Sequence, residues 1–148
     1  RLPSLLRIWA RLIVLGRLNN ALPCVLDAVA QLRIESGLAS ILNATTPLWG
    51  VLVAHLFTTD ERATIPKIVG VLIGFAGVGV MVGSGGRLGG EAIAILMCLG
   101  ATLSYAFAAV YARRFRPLGI APLSVATGQL IGASLLLFPF SLVLEQPW

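Results

Sequence analysis

Gly37 to Phe57, GLASILNATTPLWGVLVAHLF, is a run of twenty-one residues whose one ionisable side chain is His55, close to its end. At a rise of about 1.5 Å per residue it matches a hydrocarbon core about 30 Å thick, which predicts a membrane-spanning helix. Its middle is nonetheless polar: Asn43, Thr45 and Thr46 lead up to Pro47, the central residue of the run, which falls near the bilayer midplane. At about 100° per residue, Ser36, Ala39, Ser40, Asn43, Thr46, Pro47, Gly50 and Ala54 share one side, and Ile41, Leu42, Leu48, Trp49, Leu52 and Leu56 share the other. Pro47 has no N–H for the Asn43 carbonyl and its ring crowds that oxygen, so a bend or opening is expected there. A carbonyl freed inside a membrane must find another partner; the Thr45 and Thr46 hydroxyls, the Asn43 amide, a water or a substrate could each serve. Small residues and hydroxyls also line ordinary contacts between transmembrane helices, so packing and binding both stay open as readings of this face.

The rest of the chain is built the same way. Of its 148 residues 57% are hydrophobic and 11% charged, where soluble domains carry about 25% charged residues. That length leaves room for about five spans with short connections and for no soluble domain of useful size, so any function lies in the helices. Eleven Lys and Arg against six Asp and Glu would suggest nucleic acid as a partner in a soluble chain, but here the charges cluster at segment ends, and no nucleic-acid partner is expected. Cys24 and Cys98 lie in apolar runs and read as small hydrophobes. One His and no Cys-His cluster leave no metal or cofactor site to expect.

Taken in order, the first span is Leu12 to Leu32, which holds Arg17, Asn19, Asn20, Pro23, Asp27 and Gln31 and so cannot face lipid all round. Asp27 has no cation one turn away; it reads either as a carboxyl without a role or as a proton-coupling carboxylate. The second span runs to Phe57, and the third, Ile65 to Gly83, opens on Pro66 and carries Gly70, Gly74 and Gly77 on one face, the groove used for close helix packing. After the glycine-rich loop 84–90 comes the fourth span, Ala92 to Ala112, with a small-residue seam of Gly100, Ser104, Ala108 and Ala112 and with Tyr105 near its centre. The fifth, Ala121 to Leu144, places Gln129 at depth. Five spans put Arg1, Arg7, Arg11, Arg17, Arg62, Lys67, Arg113, Arg114 and Arg116 on one face and Arg33 and Arg87 on the other, and nine basic residues against two predicts that the first face is cytoplasmic. No HExxH or Gly-x-Ser-x-Gly pattern and no nucleophile with a matched base occurs, so an enzyme is not expected.

Three runs together, LNNALP, SGLASILNATTPLWGVLVAHLFTTDERAT and VGVLIGFAGVGVMVG, resemble the EamA-type repeat of the drug/metabolite transporter superfamily. In that repeat a small-residue helix with a central proline, here Pro47, precedes a short acidic-basic turn, here Asp60-Glu61-Arg62, and a glycine-rich helix. LSYAFAAVYARRF and GQLIGASLLLFP are similar to the opening of a second repeat. The resemblance implies an all-α, ten-helix, inverted-repeat carrier. On that mapping residues 1–83 are the last three helices of the first repeat, 84–90 a connecting loop and 91–148 the first two helices of the second. The chain then reads as a piece of a longer protein, with the missing helices as partners alongside the bilayer and a homodimer as a further option. The expected function is multi-pass transport, as an exporter of amino-acid-like or other small polar solutes in a bacterial inner membrane, with an inert or truncated membrane fragment as the alternative. The expected substrate site is near the midplane, at Asn19, Asn20, Asn43, Thr46, Pro47, Tyr105 and Gln129.

Overall fold

In a computed structural model, which describes residues 2–58, 63–84 and 91–144, every regular element is helical. Five stretches are long and apolar enough to cross a membrane: Leu5–Ala30, Ser36–Phe57, Ile65–Gly83, Ala92–Leu118 and Pro122–Pro139. The turn residues Asp60, Glu61 and Arg62, and the loop 85–90 with Arg87, lie outside the described residues, as does Arg1.

The first span starts earlier than Leu12. Helix α1 (Leu2–Gly16) passes through one π-helical turn (Arg17–Ala21) into α2 (Leu22–Ala30). The early start follows from an apolar stripe, Ile8, Leu12 and Leu15, which packs with Phe115 and Val125 and so keeps the basic N-terminal segment helical. The span also ends before Leu32. The Arg33 N–H turns back to the Ala30 carbonyl at 2.9 Å, and Ile34 is drawn into a buried cluster with Ala30, Leu38 and Cys98. The second span is two helices, α3 (Ser36–Asn43) and α4 (Thr46–Phe57), broken just before Pro47 as its missing N–H requires. His55 Nδ1 accepts the Ala63 N–H at 3.1 Å and ties the end of α4 to the start of the third span, α5 (Ile65–Ser84). Helix α6 (Ala92–Ala112) continues beyond Ala112 as a 3-10 segment (Arg113–Leu118) held by the buried Phe115, then stops at Gly119, whose φ of 66° is left-handed. Helix α7 (Pro122–Leu144) follows.

Not the second span but α6 occupies the middle. Small residues on several of its faces, Ala94, Cys98, Ala101, Thr102, Ser104 and Ala108, are buried, which lets α2, α3 and α4 all pack against it, while α1 lies along α7. The glycine face of α5 is largely unfilled. Gly74 meets the Leu48 side chain, whereas an added Cβ at Gly70 or Gly77 would have nothing within 4 Å. Two apolar clusters cap the bundle: Leu38, Ala39, Leu42, Ile95 and Cys98 at one end, and Leu12, Leu15, Ala108 and Phe115 at the other. Most of the buried polar side chains lie between them.

Candidate functional site

Two prolines shape this polar layer. Pro23 cannot donate a backbone hydrogen bond, and the turn before it widens so that the Leu22 N–H reaches back five residues to the Arg17 carbonyl. In that register the Leu18 carbonyl should have received the N–H that Pro23 lacks. The Ser104 hydroxyl of α6 donates to it instead, at 2.6 Å. The second break is satisfied from within. At Pro47 the freed Asn43 carbonyl accepts the Thr46 hydroxyl at 2.7 Å, and the Leu42 carbonyl accepts both the N–H of Thr45 at 3.0 Å and its hydroxyl at 2.7 Å. Thr45 also sets its hydroxyl oxygen 3.3 Å from that of Thr102 on α6. Both threonines are almost fully buried, so this contact pins the break to the central helix.

The widened turn brings Asn19 and Asn20 to the seam between α6 and α7. Asn19 Nδ2 donates to Gln129 Oε1 at 3.2 Å, a bond between side chains on the first and fifth spans. Two cavities adjoin Asn19. One, of about 540 Å³, is lined by Asn19, Gln129, Arg113, Arg116 and Phe115; the other, of about 490 Å³, by Asn19, Asn20, Cys24, Tyr105, Ser134 and Ser141. Asn19 belongs to both. At the same level α1 and α7 come closest: a Cβ on Gly16 would stand 2.5 Å from the Gln129 carbonyl oxygen. The seam can therefore open only if the two helices separate or the Asn19–Gln129 bond breaks.

Of the residues expected at a substrate site, Asn19, Asn20, Tyr105 and Gln129 thus gather around these two cavities. Asn43, Thr46 and Pro47 do not join them. Asn43 Nδ2 donates to Asp27 Oδ2 at 3.2 Å, Thr46 is occupied by the Asn43 carbonyl, and Pro47 lines a separate cavity of about 240 Å³ with Gly50, Ala106 and Lys67. Sequence reasoning missed Thr102 and the role of Ser104. The hydroxyls at 102 and 104 in an otherwise apolar helix were a usable signal, because in a membrane a hydroxyl marks a partner at equal depth.

The EamA-like transporter family matches residues 1–83 of the chain. The Escherichia coli K12 protein named "Uncharacterized inner membrane transporter YedA" is 35% identical over 89 residues, which are 60% of this chain and 28% of that protein. Proteins of the same name from E. coli strains O6:H1 and O157:H7 match to the same extent. The chain therefore spans little more than a quarter of the length of the curated relatives it matches. No solved structure matches it.

Proposed function

This chain belongs to the EamA-like transporter family, and we propose that it forms the central five helices of a ten-helix, inverted-repeat carrier that exports small polar, amino-acid-like solutes across a bacterial inner membrane. The division into repeats is supported by the family match, which stops at residue 83, where α5 ends. Location in the inner membrane is supported by the printed name of the E. coli relatives, and orientation within it by the basic face.

The observation that carries the reading is the Asn19–Gln129 bond, whose Asn19 lines two cavities. A carrier needs a barrier that a substrate can replace at little cost, and an amide pair is such a barrier. A solute with an amine and a carboxyl group can give Gln129 the donor that it loses and give Asn19 an acceptor. Asn20 Nδ2 is buried beside the second cavity without a partner and offers one more donor to that solute. The π turn supplies the motion, since a helix wound to five-residue spacing at a proline can return toward regular winding with a small rotation of Asn19.

The test is counterflow of a panel of radiolabelled amino acids in proteoliposomes holding the full-length carrier. Asn19→Leu and Gln129→Leu should each slow transport of the responding solute about tenfold, the factor carried by one hydrogen bond of about 1.4 kcal/mol. The double variant should be no slower than either single one. Unchanged rates in both single variants would remove this pair from the path.

A further inference from the structure

The transport path leaves unused a carboxyl that lies against the central helix. Asp27, one turn before the end of α2, accepts the Asn43 amide on Oδ2 at 3.2 Å. The Cys98 thiol of α6 lies within hydrogen-bonding reach of the same carboxyl, yet Asp27 Oδ1 is buried without a hydrogen-bond partner, and so is Oδ1 of Asn43. The two unpartnered atoms are both acceptors. An ionised carboxylate therefore leaves this pair with two lone oxygens inside a membrane, a costly arrangement.

A single proton resolves both. Placed on Asp27 Oδ1, it turns an acceptor into a donor to Asn43 Oδ1, while Asn43 Nδ2 keeps its bond to Asp27 Oδ2. The product is a cyclic pair of a carboxylic acid and an amide with two hydrogen bonds and no net charge. A metal ion fits less well, because hard cations take about six or more oxygens and two are free here. Among the described residues, the titratable groups coupled to Asp27 are Cys98 and Tyr105 on α6, with Cys24 one turn earlier on its own helix; α3 contributes the neutral Asn43. None is a cation that would hold the carboxylate ionised.

We propose that Asp27 and Asn43 form a proton-binding site in which the bound proton closes the acid–amide pair. The proton arrives from water, the O–H bond forms on Asp27 Oδ1, and nothing is oxidised or reduced. Two connections give the site a use. Asn43 ends α3 at the break before Pro47, and its carbonyl is held by Thr46, so binding or release of the proton acts on the hinge of the second span. Tyr105, close enough to Asp27 to sense its charge, also lines the 490 Å³ cavity with Asn20 and Cys24. Proton coupling of transport rests on the carrier reading above, whereas the proton site does not.

The test is infrared difference spectroscopy of the full-length protein in lipid nanodiscs on stepping the pH upward. The wild type should lose the carbonyl stretch of a protonated carboxyl, and Asp27→Asn should lack that band. Asn43→Leu should keep the band but shift it to the position of an acid without an amide partner. Asp27→Asn also mimics the protonated pair, since its amide supplies both a donor and an acceptor to Asn43. Its melting temperature should therefore fall less with rising pH than that of the wild type, which gives up the proton and one hydrogen bond. The absence of a protonated-carboxyl band in the wild type, the same band in Asp27→Asn, or an unshifted band in Asn43→Leu would each overturn the proposal. Transport failing in proteoliposomes while these bands behave as stated would count against the carrier reading alone.

Discussion

At the scale of single residues, the chain repeatedly uses a hydroxyl to repair what a proline breaks. Ser104 covers the Leu18 carbonyl before Pro23, and Thr46 covers the Asn43 carbonyl before Pro47. These bonds differ from the many hydroxyls that merely share a carbonyl with its own helical N–H. Thr127, for example, donates to the Leu123 carbonyl at 2.9 Å inside α7, where the backbone N–H four residues on already serves that oxygen. Ser104→Ala should thus destabilise the full-length protein by about 1–2 kcal/mol, leaving a carbonyl with no donor in a dry site. Thr127→Val should change stability by less than about 0.5 kcal/mol. Thermal unfolding in detergent compares the two, and equal melting would show that the Leu18 carbonyl finds another donor. Both prolines and the hydroxyls near Pro47 could be read in advance, because partner and break are neighbours in sequence. Ser104 could not, since its partner is 86 residues away, and spacing along one helix places it only in a small-residue seam.

At the scale of elements, the same limit separates the spans from their contacts. Apolar length alone identifies five spans, and their ends move only where packing or a turn adds or removes helix, as at the start of α1 and past Ala112. Small-residue spacing reveals that a groove exists but not what fills it. The glycine face of α5 offered the plainest pattern, yet the tightest backbone approach is at Gly16, a lone glycine between Leu15 and Arg17. The neighbours decide the cost of filling each. A Cβ on Gly16 meets the Gln129 backbone oxygen at 2.5 Å, which can retreat only if α7 moves, whereas one on Gly74 meets Leu48 Cδ1 at 2.7 Å, the tip of a side chain free to rotate. Gly16→Ala should cost about 1–3 kcal/mol and Gly74→Ala less than about 1 kcal/mol. Gly16→Ala should also alter transport, since the strain lies beside the Asn19–Gln129 bond. Melting curves that rank the two variants the other way would refute the close approach of α1 and α7.

At the scale of the whole molecule, five spans place the connection after α2 on one side of the bilayer and the segments after α4 and α6 on the other. The basic residues divide unevenly between these sides. Lys67, Arg113, Arg114 and Arg116 lie at the ends of α5 and α6 that share a face, and Arg7 and Arg11 lie on α1 toward that same face, whereas Arg33 follows α2 on the opposite side. The excess of basic residues predicts that the richer face is the cytoplasmic one. Arg113 and Arg116 line the 540 Å³ cavity at this basic end of the bundle. Arg33, Lys67 and Arg116 are all exposed, which suits them to single-cysteine labelling in full-length protein with Cys24 and Cys98 replaced by serine. In intact cells a membrane-impermeant thiol reagent should label Arg33→Cys and leave Lys67→Cys and Arg116→Cys unlabelled. Permeabilised cells should show all three labelled. Labelling of Arg33→Cys and Arg116→Cys together in intact cells would require an even number of crossings between them, and the arrangement of three crossings from α3 to α6 would fall with it.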